Sequence, residues 1–299
     1  MNDTIYVEEQ LTNILPKTYE AKFPNLKAKE IFPVDYSDGD GVDIIEWISY
    51  DARGIAKILA SYAAKDIPRV DISGKKNFTR VFTGGASFGY SVDDIRKSQK
   101  TGKSIDAKKA STALRANEEL IEKISFNGDD KHGIVGILAH PNIPRFSTLK
   151  NAATKYLWKD KNPKEKLDDL YSMFNSMTKT TNELETPDSI ALSPDIYNLL
   201  HETPYSDRDS TPIVETFKKA KPEIKNYYKV PYFAKAGANE TDIVMMFKKD
   251  SEKISLKIPH ETEFMPPQVD GLEQVVFTRL RIAGVVVFMP FSCLIGEGF

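Results

Sequence analysis

The sequence predicts an α+β chain, drawn out by two segments that have little core of their own. Three observations predict it. Strand-like patterns cluster in residues 44–91 and return from 241 onward. Helical periodicity is concentrated in one long stretch near 105–127 and in shorter ones at the centre. The opening segment, residues 1–43, is polar, is broken by Pro16, Pro24 and Pro33, and shows few periodic apolar positions. With 299 residues, 40% of them hydrophobic, the chain can build one large or two modest domains around a real core.

Composition excludes several function classes. A formal net charge of −2 gives no global field to hold DNA, RNA or an anionic membrane. The single cysteine, Cys293, permits no intrachain disulfide and fits a reducing compartment; in "MPFSCLI" it reads as a small buried hydrophobe. The first residues, "MNDTIYVEEQ", lack the basic and apolar regions of a signal peptide. No apolar run approaches the ~20 residues that cross a bilayer. The expectation is a soluble, intracellular product at the time of folding.

Taken in order, the polar arm ends near residue 43 and "DIIEWISY" reads as a strand. Residues 51–91 read as a long, charged, two-stranded excursion, with "SGKKN" as the turn between "RVDI" and "FTRVF". Such a ribbon is barely stable alone, so arm and ribbon both call for a neighbour. Residues 105–127 predict a helix about 35 Å long. Ser104 is its cap, Ala110, Leu114, Asn117, Ile121 and Ile124 share one face, and Gly128 is the left-handed residue after it. Asn117 on that face calls for a buried hydrogen bond. "PKEKLDDLYSMFNSMTKTTN" is amphipathic, and "SIALSPDIYNLLHE" reads as a strand, then a helix capped by Ser193 with Pro194 first. "DIVMMFKKDSEKISLKI" reads as a hairpin turning near Asp250, and "QVVFTRLRIAG" sets Val276, Thr278, Leu280 and Ile282 on one face. "VVVFM" is a buried strand stopped by Pro290.

Motifs that carry chemistry fail on context. "NGDDKHGIVGILAHPN" has the glycine spacing of a phosphate loop at Gly128 and Gly133. Ile134 and Val135, however, stand where the lysine and hydroxyl are needed, and the loop follows a helix rather than preceding one. Asp129, Asp130, His132 and His140 have no recognised metal spacing. "YSDGDGVDIIEW" places Asp38, Asp40 and Gly41 as in a calcium loop, but Tyr36 and Trp47 occupy two required ligand positions. "GASFG" matches a nucleophile elbow at Ser87, yet the strand pattern runs through it and no helix begins there. The sequence therefore predicts no catalytic residue, no metal and no cofactor.

The order of elements, carried by "ISYDARGIAKILASYAAKDIPRVD", the stretch from "FGYSVDDIRKSQK" to "ISFNGD", "GIVGILAHPNI" and the tail from "IPHETEFMPPQ" to "VVVFMPFSCL", resembles the major capsid proteins of tailed phages, the HK97 fold. The resemblance covers essentially the whole chain. It implies an N-terminal arm over 1–43, an extended loop and spine helix of the peripheral domain over 44–143, an axial domain over 144–240, and a return to the peripheral β-sheet over 241–299. It also implies hexamers and pentamers that close an icosahedral or prolate head around double-stranded DNA, held without sequence-specific contacts and without a membrane. Portal and scaffolding or decoration proteins are the implied partners, the virion the location and the bacterial host cytoplasm the place of assembly. Since the chain begins almost at the arm, scaffolding is expected from another protein. Lys65, Arg69, Lys75, Lys76, Asn77 and Arg80 are the intersubunit candidates, with Lys75, Lys76 and Asn77 at the loop tip. An encapsulin-type cargo shell shares the fold, and a serine hydrolase using Ser87 is the alternative from another class.

Overall fold

The computed structural model describes residues 26–53, 71–91, 93, 106–150, 157–206 and 209–299. A short helix α1 (Ala28–Ile31) and strand β1 (Val34–Asp35) lead into a ribbon of β2 (Ile44–Arg53) and β3 (Asp71–Arg80). Then come β4 (Phe82–Gly84), β5 (Ser87–Ser91) and the long helix α2 (Asp106–Phe126). A tight hairpin, β6 (Gly128–Asp129) with β7 (Ile134–Val135), precedes β8 (Arg145–Ser147). The middle of the chain forms α3 (Pro163–Thr180), β9 (Ser189–Leu192), α4 (Pro194–Glu202), β10 (Pro204–Ser206), β11 (Asp209–Pro212), α5 (Ile213–Ala220) and β12 (Asn226–Lys229). The closing strands are β13 (Ile243–Phe247), β14 (Ile254–Lys257), β15 (His260–Phe264), β16 (Gln268–Asp270), β17 (Glu273–Ile282), β18 (Gly284–Val287) and β19 (Cys293–Glu297).

A mixed sheet in the order β12-β9-β13-β19-β8 separates two cores. Strand side chains alternate between faces, so Ile190, Leu192, Val244, Met246 and Leu294 enter one core with Leu170 and Phe174 of α3, Leu200 of α4 and Phe217 of α5. Ala191, Met245, Phe247, Cys293 and Ile295 enter the other, with Phe32, Ile121 and Phe126. Both faces of these strands are covered, which is why "IVMMF" and "SIAL" are apolar at every position or nearly so. The helix starts follow their local sequence. Asn162 and Glu165 form a reciprocal capping box at α3, and Ser193 accepts from Ile196 N at α4 with Pro194 next to it.

The hairpin expected across Asp250 does not form. β13 pairs with β9 and β19, whereas β14 pairs with β1 and β18 in another sheet. A turn does lie there, with Lys253 N donating to Asp250 O at 3.0 Å. Both edges of β13 are already bonded within the sheet, so the chain crosses to a second sheet instead of folding back.

The ten-residue strand β17 organises the remaining sheet, with β15 and β16 along one edge and β4 and β5 along the other. Helix α2 packs across it. Asn117, 1% exposed, donates from Nδ2 to Thr278 Oγ1 at 2.9 Å, the buried bond its position calls for. Thr278 Oγ1 also receives Ala86 N at 2.8 Å, at the break between β4 and β5. That break needs glycine, because a Cβ on Gly85 would sit 2.0 Å from Thr278 O. The buried face of α2 carries Ala113, Asn117, Ile121 and Ile124; Leu114, expected on it, is 38% exposed, so the face is rotated by one residue at that end.

The final third of the expected arm is packed rather than free. Ala28, Ile31 and Phe32 are buried in the second core, and β1 pairs in parallel with β14. The anchor is Glu122 on α2, 2% exposed, whose carboxylate accepts Lys27 N at 2.8 and 2.9 Å and Ala28 N at 2.7 Å.

Candidate intersubunit surface

The ribbon grows from a small root. Ile45, Val81 and Ala283, with Val42 beside them, form a core of their own at its base. The register pairs Ile45 with Thr79 and Trp47 with Asn77, which puts these residues on the face toward the body. Trp47 meets Phe288 edge-on at 5.6 Å, and Thr79 Oγ1 donates to Ala283 O at 3.4 Å. Charge fixes the same root. Arg279 grips Asp40 with both guanidinium arms at 2.7 and 3.0 Å, and this bond holds the Asp40 carboxyl below the usual range. Arg281 donates to Asp40 O and to Asp43 Oδ1, the latter at 2.6 Å. Lys257 reaches Asp35 at 2.6 Å and Asp38 at 3.0 Å.

Among the described residues, the opposite face of the ribbon has no such cover. The pairs Ile44–Arg80, Glu46–Phe78 and Ile48–Lys76 line it. Ile44, Ile48 and Phe78 are 49%, 53% and 62% exposed, forming an apolar strip on a two-stranded ribbon. Glu46 and Lys76 pair across it at 2.5 Å. Sequence reasoning missed these three apolar residues, although "IIEWI" carried the signal: a half-buried strand alternates, and this one is apolar on both faces. The tip of the β16–β17 hairpin adds Val269 and Leu272, 77% and 79% exposed.

Lys75, Lys76 and Asn77 are not at a loop tip. "SGKKN" is continuous β3, Gly74 pairs with Tyr50, and its φ is not in the left-handed region. The polarity that suggested a turn is that of a strand with solvent on its faces. Lys75, Lys76 and Arg80 are exposed, whereas Asn77 turns inward and donates to Ser49 Oγ at 2.9 Å. Lys65 and Arg69 lie outside the described residues. The ribbon also ends sooner than expected, since residues 82–91 form β4 and β5 on β17.

The motifs set aside on context are occupied structurally. Gly128 and Gly133 take left-handed φ values of 77° and 70° around the β6–β7 hairpin, and a Cβ on Gly136 would lie 2.3 Å from Gly128 N. His132 Nδ1 lies 2.7 Å from Asp129 Oδ2, and this bond holds Asp129 below the usual carboxylate range. The stretch is a joint between helix and hairpin. Asp38 and Asp40 use their carboxylates on Lys257 and Arg279. Among the described residues no three metal-ligating side chains converge. Ser87 sits in β5 paired with Phe277, not on a strand-to-helix turn, so the nucleophile elbow is absent at that residue. Cys293 is buried, and burial pushes its thiol up to about 12.

A family model described as "Major capsid protein" matches residues 54–298. No curated protein sequence matches the chain. Among solved structures, the capsid of Myoviridae phage XM1 superposes with a TM-score of 0.82 at 11% identity, covering 97% of this chain and 98% of that one. The capsid of a native GTA particle gives 0.65 at 8% identity over 99% of both chains. A virus-like particle from Pyrococcus furiosus gives 0.53 at 14% identity, covering 90% and 91%. At these identities the likeness is one of fold, the HK97-like capsid fold.

Proposed function

This chain belongs to the major capsid protein family and is a shell-forming capsid protein, and from that premise we propose that it assembles through the ribbon into hexamers and pentamers closing a phage head around genomic DNA. The observation that carries the proposal is the outward strip of Ile44, Ile48 and Phe78, exposed on a ribbon whose other face is anchored to its own body. Exposed apolar surface on an element too thin to bury it is explained by a neighbouring subunit. In this reading residues 1–43 are the arm, 44–143 the extended loop and spine helix, 144–240 the axial domain and 241–299 the peripheral return. Lys65, Arg69, Lys75, Lys76, Asn77 and Arg80 contact the neighbour. A net charge of −2 suits a container that confines DNA without gripping it, and the role is structural rather than catalytic. Portal and scaffolding or decoration proteins complete the particle, which assembles in the host cytoplasm and persists as the virion.

Negative-stain electron microscopy with light scattering on the chain expressed alone tests this. Closed shells, sheets, tubes or rings of five or six are the expected products. A monomer at every concentration that also fails to assemble with the scaffolding protein of its own virus would overturn the reading.

A further inference from the structure

Beneath the ribbon the body does not close. Two cavities of 360 and 470 Å³ lie between them and share Trp47 of the ribbon with His140 and Val287 of the body. The ribbon brings its inward row, with Ser49, Asn77 and Thr79 beside Trp47, and the body brings Val285 and Phe288. His140 follows the short turn Ile137–Ala139 and is half-buried in this space. Its Nδ1 accepts Asn142 N at 3.4 Å, so that nitrogen carries no proton.

The surroundings give an imidazolium no partner. No Asp or Glu is among the described residues lining either cavity. His132 is committed to Asp129 at 2.7 Å. Lys75 stands on the ribbon's inward row. Lys76 and Arg80 border the cavities from the outward row, where Lys76 pairs with Glu46. The charges at the lining are therefore cationic, and burial already holds the His140 ring below the usual histidine range. We propose that the seat of the ribbon is pH-sensitive, with His140 as its titrating group: the neutral ring lets the ribbon lie against the body, and protonation at Nδ1 lifts the ribbon and opens both cavities to water. The sign follows from linkage. With the ribbon lifted, His140 stands in water at the ordinary value of about 6.5 and binds its proton more readily than in the seated form. The lifted population therefore grows as pH falls below about 6.5, by at most about tenfold per pH unit for one proton. The effect on assembly rests on the shell-forming reading, since lifting moves the strip of Ile44, Ile48 and Phe78 from the place where the root presents it.

Acrylamide quenching of tryptophan fluorescence in the unassembled full-length chain tests this. Of the two tryptophans, Trp158 is 2% exposed in the other core, so a change in quenching reports Trp47. The expected result is a quenching constant that rises between about pH 7 and pH 5 while circular dichroism stays constant. His140→Gln cannot take the charge and should be flat over that interval, whereas His132→Gln should keep the rise. Lys75→Glu supplies the imidazolium with a partner and should shrink it. A flat wild-type profile, or the same rise in His140→Gln, would overturn the inference and leave the shell-forming reading intact. A chain that shows the rise but never assembles would overturn that reading alone.

Discussion

Replacing Phe78 by Ser separates assembly from folding. The side chain is 62% exposed, so its removal leaves no cavity, and the stability of the isolated subunit should change by no more than about 0.5 kcal/mol. In the shell the same ring is expected to be covered. A phenylalanine presents roughly 200 Å², and the 62% still exposed leaves about 120 Å² to bury on a neighbour. At about 25 cal/mol per Å² that is ~3 kcal/mol for each contact as an upper bound. The loss should therefore be about 2–3 kcal/mol, raising the subunit concentration needed for assembly roughly 30- to 150-fold. Light scattering across a dilution series reads that threshold, and thermal unfolding of the unassembled subunit supplies the control. Particles forming at the wild-type threshold would refute the assignment of this strip to an interface. A large drop in subunit melting temperature would show instead that Phe78 packs on its own chain.

Other perturbations probe the supports behind that surface. Asp169 accepts Trp158 Nε1 at 2.9 Å, Lys161 Nζ at 2.5 Å and Leu149 N at 3.0 Å, with both charged side chains no more than 2% exposed. Asp169→Ala strands a buried ammonium and should cost about 3–5 kcal/mol in urea unfolding, whereas a cost below about 1 kcal/mol would mean the lysine escapes to water. Gly85→Ala forces a Cβ against Thr278 O and should shift or melt the pairing of β4 and β5 with β17, seen as lost hydrogen-exchange protection in β17. Two carboxylates should give opposite pH slopes. Burial raises Glu122 despite its backbone bonds, so the native state binds its proton more readily than the unfolded one, and stability falls as pH rises from the ordinary glutamate value through the raised one. Glu122→Gln should flatten that slope. For Asp35 burial pushes up, but the bonds from Lys257 and Ser37 prevail and bring it down to about 2, so its contribution is present above pH ~4 and is lost between there and pH ~2. Asp35→Asn should remove that acid-side loss, as read by melting temperature against pH.

Much of the architecture was legible because the signals were local. The 3.6-residue spacing of Asn117, Ile121 and Ile124, the cap at Ser193 with Pro194 behind it, and the left-handed Gly128 all act within one turn of their own element. Pairing partners were less legible. "IVMMF" and "ISLK" each look like strands, and nothing between them says that Phe247 pairs with Ser189 and Cys293 while Ile254 pairs with Val287. "SGKKN" deceived for a related reason, since a polar strand in solvent and a polar turn share a composition. The apolar strip was missed because Ile44 and Ile48 look like core, and only the register opposite Arg80 and Lys76 shows that they face outward.

The ribbon's two faces also explain how a thin element can serve as an assembly contact. An isolated two-stranded ribbon would have to be ordered at the moment of binding, at an entropic cost of about 1–2 kcal/mol for each backbone residue fixed. Here the root is ordered in advance by the small core of Ile45, Val81 and Ala283, by Trp47 against Phe288, and by Arg279 and Arg281 on the Asp40–Asp43 turn. These contacts use one face of the ribbon only. The other face is thereby presented in a fixed register, and a neighbour that covers it gains the apolar area without ordering the root.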